Sequence, residues 1–249
     1  IFGEGTVSKI RSLLDERKFD NSSALIFIDH YFRNKQEFIA KLNLNKDEVA
    51  IFVSTEQEPT TDYVDELLVK ARKLNLKIST IVGIGGGSTL DIAKAVSNLL
   101  TNDGHASDYQ GWDLVKKPGI YKIGIPTLSG TGSESTRTCV MTNKTNNLKL
   151  GMNSDHTIFD QLILDPNLTK TVPRDQYFYS GMDSYIHCIE SLNGSYRNSV
   201  GDAYSNQVKQ LCQSIFLSQD MQSQENRSKL MVASYLGGCA IATSYVGLI

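Results

Sequence analysis

The chain has no apolar run near the roughly 18 residues that a bilayer span requires, and its opening, IFGEGTVSKI, lacks the hydrophobic stretch of a secretory leader. These absences argue against a membrane span and against export, so the cytoplasm is the expected compartment. Cysteine is scarce. Cys139, Cys188, Cys212 and Cys239 are the only four in 249 residues, far apart and with no C-x-x-C pair, which excludes a zinc knuckle and a dense disulfide framework. An excess of one charge is lacking too: 25 lysines and arginines nearly balance 27 aspartates and glutamates, without a basic run. Nucleic acid and a membrane surface therefore have no electrostatic support as partners, and a small molecule is the default ligand. No internal repeat or low-complexity tract is found. An initiator methionine is also missing, and the last residues, SYVGLI, are apolar without a polar tail, so a chain trimmed at both ends is expected.

What is present is an alternation. From Gly5 to Lys18, Val7, Ile10, Leu13 and Leu14 recur at helical spacing, and ALIFI from Ala24 follows as a short buried strand. A charged helical stretch around Lys35 to Leu42 precedes a second strand, VAIFVS, after which Pro59 and Thr60 open a helix whose Val64, Leu67, Leu68 and Ala71 share a face. ISTIVGIG is a third strand, TLDIAKAVSNLL the helix after it, and YKIGIPT a fourth strand ending at Thr127. Strands that are apolar throughout and alternate with helices predict a parallel sheet covered on both faces. From about Pro173 the β-branched runs vanish, and YSGMDSYIHCIESL, VGDAYSNQVKQLCQSIFL and NRSKLMVASYLGGCAIATSYVGLI read as successive helices. The expected organisation is an α/β domain over 1–172 and an all-helical domain over 173–249, hinged at DPNLTKTVPRD.

Three features carry chemistry. IVGIGGGSTLDIAK places Gly85, Gly86 and Gly87 between a strand and a helix, where a backbone without Cβ atoms can take positive φ, approach a ligand closely and aim N–H groups at an anion such as a diphosphate. Ser88 is the expected helix N-cap, with Asp91 three residues on in a near capping box. The stretch satisfies neither G-x-G-x-x-G nor the nucleoside-triphosphate loop. A second small-residue loop, IPTLSGTGSES, offers Thr127, Ser129, Thr131 and Ser133 with Gly130 and Gly132, and Asp29 at the end of a strand could accept from a ribose hydroxyl. The third feature is GMDSYIHCIE, in which Asp183 and His187 stand four apart, so that a helix would bring both to one ion. Each has a plainer alternative: an empty glycine turn, a solvated loop, a turn aspartate, or a helix-start aspartate beside a core histidine.

The stretches GGGSTLDIAK, IPTLSGTGSE, LKLG, LILDPNLTKTVP and GMDSYIHCIE, in that order and covering about the whole chain, make it resemble the iron-containing, group III alcohol dehydrogenases. The resemblance implies a dehydroquinate synthase-like fold: an α/β dinucleotide-binding domain, an all-α domain, and between them a cleft for NAD(P) and a divalent metal, Fe2+ or Zn2+. Carried over by position, Gly86, Gly87 and Ser88 would contact the diphosphate, with Asp91 in the same motif. Thr127, Leu128 and Thr131 would lie along the ribose and nicotinamide, and Lys149 near the cofactor. Asp29 would favour NAD by repelling a 2′-phosphate. Asp183 and His187 would be two of four metal ligands, the other two being histidines beyond Ile249, whereas His30, His105 and His156 match no ligand position. The segment ESLNGSYRNSVGDAYS resembles the subgroup containing the 3-deoxy-D-manno-octulosonate 8-oxidase, which would make the substrate a sugar acid, give Asn193, Tyr196, Arg197 and Asn198 a part in binding it, with Arg197 the candidate for its acid group, and connect the protein with lipopolysaccharide biosynthesis.

The reaction so implied is hydride transfer from a metal-bound primary alcohol to the nicotinamide, giving an aldehyde. No general base is identified from the sequence, and a homodimer is a candidate assembly that the sequence leaves open. Two other readings stand beside it: a dehydroquinate synthase-like enzyme that reduces NAD only transiently, and a nucleotide-binding module without catalysis.

Overall fold

In the computed structural model, residues 1–245 are described. The α/β part contains α1 (Ile10–Arg17), β1 (Ser22–Asp29), α2 (Gln36–Leu42), β2 (Val49–Val53), α3 (Thr61–Lys73), β3 (Lys77–Gly85), α4 (Gly87–Leu99), β4 (Gly111–Trp112), β5 (Tyr121–Pro126), β6 (Thr138–Asn143), β7 (Leu148–Asn153) and β8 (Gln161–Leu162). Five strands form one parallel sheet in the order β2-β1-β3-β5-β8. The central strands are apolar on both faces for a visible reason. Leu25, Phe27 and Ile81 pack with α3 and α4 on one side, while Ile26, Ile28, Val82 and Ile84 pack with α1 and α2 on the other. Burying such a side chain contributes about 1.5–3 kcal/mol, so neither face of β1 or β3 tolerates water. Thr60 caps α3 as expected, its hydroxyl accepting from the Tyr63 N–H at 3.2 Å.

A second, three-stranded sheet, ordered β4-β7-β6, was not expected from the sequence. Its β6 and β7 are an antiparallel hairpin turning near Asn147, which has φ of 55°.

The long helices begin at Arg174: α5 (Arg174–Asn193), α6 (Ser199–Phe216) and α7 (Gln224–Ser244). The predicted last helix ran on through 246–249, which lie outside the described residues. Tyr177, Cys188, Val208, Cys212, Ile215, Leu230, Ala233 and Ala240 fill the helical core. All four cysteines are free; three are fully buried and serve as small apolar fillers. The segment read as a hinge is held at its first residue and at its middle. Asp165 is fully buried and accepts from the N–H groups of Gly5 and Val7, and the Arg227 guanidinium donates to the Thr169 carbonyl. Among the described residues, no helix is long and apolar enough to cross a membrane.

Candidate active site

The parallel sheet changes direction between β1 and β3, since β1 leads outward to β2 and β3 leads the other way to β5. At such a switch point the strand ends leave a crevice. Asp29 ends β1 and Gly85 ends β3 at that place.

The glycine turn works by lacking Cβ atoms and not by unusual torsions. No positive φ occurs at Gly85, Gly86 or Gly87, which corrects the expectation from sequence. A Cβ on Gly85 would stand 2.5 Å from Thr89 Oγ1, and one on Gly87 would stand 2.9 Å from Thr131 Oγ1. Gly86 has only Leu128 near it, at 3.7 Å, so its Cβ side is open. A second correction concerns the cap: Gly86, not Ser88, is the N-cap of α4, and no side chain caps that end. The first N–H groups of α4 are therefore available to an anion, at the positive end of the helix dipole.

Asp91 is no capping residue either. Its carboxylate is buried and accepts from Ser133 Oγ at 2.6 Å and from the Val140 N–H at 3.0 Å, tying the second loop to α4. One turn on, the fully buried Lys94 ammonium donates to the carbonyls of Ser133, Thr136 (3.0 Å) and Thr138 (2.9 Å). Burial pushes Asp91 above the ordinary carboxyl range and Lys94 below the ordinary lysine range, and each charge partly offsets the effect on the other.

That loop, between β5 and β6, also docks on the long helices. Gly130 has φ of 152° and lies against α5 so closely that a Cβ would fall 1.7 Å from the Ser180 carbonyl oxygen. Ser184 Oγ donates to the Gly130 carbonyl at 2.6 Å, the Gly130 N–H donates to Ser234 Oγ at 2.8 Å, and Ser234 Oγ donates to the buried Glu134 at 2.7 Å. A solvated turn is thereby excluded.

Asp183 and His187 lie in the middle of α5, so the helix-start alternative for Asp183 fails. The buried face of α5 is the stripe Tyr177, Ser180, Gly181, Ser184, Cys188 and Ser191. Asp183 and His187 stand beside that stripe, with side chains 44% and 22% exposed and Asp183 Oδ1 3.5 Å from His187 Nε2. Two donors on one tetrahedral ion with bonds of about 2.1 Å stand about 3.4 Å apart, so the pair has the spacing to share a cation. His187 Nδ1 is buried and has no hydrogen-bond partner among the described residues. Among the described residues no third histidine, cysteine or carboxylate joins them.

Two clefts between them gather the residues that the resemblance assigns to cofactor and metal, but not Asn193, Tyr196, Arg197 or Asn198. One, of about 180 Å³, is lined by Asp29, Gly86, Thr127 and Leu128, with Leu168 and Thr171. The other, of about 490 Å³, is lined by Gly87, Ser88, Asp91, Thr131, Lys149, Asp183 and His187. Asp29 accepts from the Tyr31 N–H at 3.0 Å and from Thr55 Oγ1 at 2.9 Å, and Lys149 pairs with Glu58 at 2.5 Å. Arg197 is a correction: its guanidinium is held by Asp202 at 2.9 Å and does not line the larger cleft. Trp112, Arg137 and Asn153 do line it and were missed. Arg137 is braced from the solvent side by Asp113 and Asp155, and Tyr245 stacks edge-on with both Trp112 and Tyr196 at centroid distances of 5.1 Å.

With this geometry in place, comparison with known proteins gives a consistent match. Residues 1–166 fit the family model described as iron-containing alcohol dehydrogenase. The chain is 33% identical to a sulfoacetaldehyde reductase of Bilophila wadsworthia over 202 residues, 80% of this chain and 51% of the relative. It is 29% identical to an NAD-dependent methanol dehydrogenase of Bacillus methanolicus over 256 residues, covering 100% of this chain and 66% of the relative. An alcohol dehydrogenase from Oenococcus oeni superposes with a TM-score of 0.88 at 25% identity, over 99% of this chain and 65% of that one. The chain thus spans between about half and two thirds of the length of these relatives.

Proposed function

The chain belongs to the iron-containing alcohol dehydrogenase family, and from that premise we propose that it works as a nicotinamide- and metal-dependent oxidoreductase interconverting a primary alcohol and its aldehyde. One observation carries the reading. Consecutive residues of one turn, Gly86 and Gly87, line the two clefts, so a ligand held at that turn has Asp29 on one side and the Asp183–His187 pair on the other. The names of two relatives, an NAD-dependent methanol dehydrogenase and a sulfoacetaldehyde reductase, support the cofactor and the alcohol–aldehyde chemistry.

In this proposal the uncapped end of α4, with Gly86, Gly87 and Ser88, receives the cofactor diphosphate. Asp29 accepts from the adenosine ribose, while Thr127, Leu128 and Thr131 flank the ribose and nicotinamide end, with Lys149 nearby. Asp91 acts through the loop it grips. The nicotinamide would supply the hydride acceptor. Asp183 and His187 would hold a divalent cation, whose chemistry there is Lewis acidity toward the substrate oxygen. The family makes iron the first expectation, and an aspartate–histidine pair also suits zinc. The division into a nucleotide domain over 1–172 and a metal-binding helical domain over 173–249 belongs to the same proposal.

The finer reading is a polyhydroxylated sugar acid as substrate, of the 3-deoxy-D-manno-octulosonate kind. Its support is a cleft wide for a one-carbon alcohol, with an aromatic rim at Trp112 and Tyr245 and the cations Arg137 and Lys149. Sugar acids and short alcohols offered in parallel, with NAD reduction followed by absorbance, rank these substrates by kcat/KM; a preference for short alcohols removes the sugar-acid reading. The general reading is tested by Asp183→Ala. Removing one of the two gathered ligands should lower bound metal, counted by atomic emission, and cut turnover by about a hundredfold or more. Full metal content with full turnover in that variant defeats it.

A further inference from the structure

Lys94 has no place in the reading so far, although it is among the largest fully buried side chains of the molecule. We propose that Lys94 is a positioning residue, whose ammonium sets the loop carrying Thr131 against the glycine turn and so fixes the nicotinamide half of the cofactor site while leaving the adenosine half unaffected.

The argument begins with donor counting. Three backbone carbonyls, of Ser133, Thr136 and Thr138, converge on Nζ, and a carbonyl can only accept. A neutral amine has two N–H donors and an ammonium has three, so the geometry requires the charged form. The Phe159 ring, 5.4 Å from Nζ, adds a face that favours a cation. No carboxylate bonds Lys94 directly; Asp91, one turn away, grips the same loop through Ser133 Oγ and the Val140 N–H. With the Thr136 hydroxyl also within 3.2 Å of Nζ, the inner face of α4 holds the 133–140 segment at six polar points. The consequence reaches the site through Thr131, whose hydroxyl accepts from the Ser133 N–H at 3.2 Å and stands where a Cβ on Gly87 would touch it.

The two halves of the cofactor crevice are anchored differently. Thr127 is fixed by the sheet itself, its N–H donating to the Gly85 carbonyl at 2.9 Å, and the smaller cleft that it shares with Asp29 and Leu168 contains no residue that Lys94 holds. Thr131 and Ser133 line the larger cleft and depend on the grip from α4. Loosening Lys94 should thus separate binding of a whole dinucleotide from binding of its adenosine half.

The inference rests on the cofactor reading above, and its test separates the two. NAD and AMP are titrated by calorimetry into the parent chain, Lys94→Met and the milder Ser133→Ala, below the onset of unfolding measured for each. Lys94→Met should weaken NAD at least tenfold and AMP less than twofold. Ser133→Ala, which keeps the buried cation and removes the hydroxyl that Asp91 grips, should move the same ratio about threefold; if Lys94→Met does not fold, Lys94→Arg, whose bulkier cation cannot meet the three carbonyls in the same way, takes its place and should shift the ratio in the same direction. An unchanged NAD-to-AMP ratio in the folded variants overturns the positioning role, because a merely structural lysine weakens both nucleotides together or neither. A parent chain that binds neither nucleotide overturns the cofactor reading, and this inference with it.

Discussion

Replacing Gly130 by alanine should separate the hydroxyl loop from α5. Its φ of 152° is one that an L side chain rarely adopts, and the new Cβ would lie 1.7 Å from the Ser180 carbonyl oxygen and 2.2 Å from its carbon. Those atoms are helix backbone, so rotamer changes give no relief. The torsional strain costs about 1–3 kcal/mol. Moving the loop away also breaks the bonds from Ser184 Oγ to the Gly130 carbonyl and from the Gly130 N–H to Ser234 Oγ, each contributing about 1 kcal/mol. The expected loss is about 3–5 kcal/mol, or about 6–20 °C in Tm at 2–4 °C per kcal/mol for a chain of this size. Gly86→Ala is the control. With φ of −76° and nothing nearer than Leu128 at 3.7 Å, it should keep stability within about 1 kcal/mol of the parent, yet weaken NAD about tenfold because its methyl enters the side open to the ligand. Thermal unfolding followed by circular dichroism reads the first effect and calorimetry the second. A Gly130→Ala protein melting within about 2 °C of the parent refutes the idea that the loop is clamped to α5.

Two further outcomes follow from charges in the same region. Asp29→Asn keeps an acceptor for the Tyr31 N–H while removing the charge facing a 2′-phosphate, and should raise the affinity for NADP relative to NAD about tenfold, roughly 1.4 kcal/mol of lost repulsion; an unchanged ratio of dissociation constants rules out that role. Glu134 is held above its ordinary value of 4.5 chiefly by burial, with the Ser234 hydroxyl opposing, so the folded chain keeps that proton to higher pH than the unfolded one. Stability then falls as pH rises from 4.5 through the raised folded value, and Glu134→Gln should flatten this part of the Tm-against-pH curve; an equally steep curve shows that the carboxyl does not titrate there.

The parallel sheet was legible because β1 and β3 are buried on both faces and leave unbroken apolar runs, and the long helices because β-branched runs vanish from about Pro173 onward. The β6–β7 hairpin was not. Its strands bury Cys139, Met141 and Met152 while leaving Val140 half-buried and Leu148 and Leu150 exposed, so the apolar residues of TCVMTNKTNNLKLGMN do not mark the buried face. Trp112 and Arg137 were hidden for the same reason, since that unseen sheet and the turn entering it carry them into the cleft. The glycine turn was found for a reason that is partly wrong. The glycines there admit Thr89 and Thr131 at close range, whereas the positive torsions sit in the next loop, at Gly130 and Gly132. A string of glycines shows that something comes close, but not which torsion or which neighbour requires it.

The second loop ties the two halves of the candidate site to one another. Lys94 and Asp91 hold it from the α4 side, and Ser184 and Ser234 hold it from α5 and α7, each through partners 39 or more residues away along the chain. Ser184 is the neighbour of Asp183, so the bond that clamps Gly130 also fixes the turn of α5 presenting the carboxylate. Any shift of this loop is therefore felt at the glycine turn and at the Asp183–His187 pair together. Packed backbone at Gly130 and at the Gly132–Gly238 contact, where a Cβ on Gly132 would come 2.7 Å from Gly238, allows few intermediate positions. A hydride donor and acceptor must be held about 3–3.5 Å apart and aligned, and under the proposed function a single loop gripped from both lobes is a physical means of holding that distance.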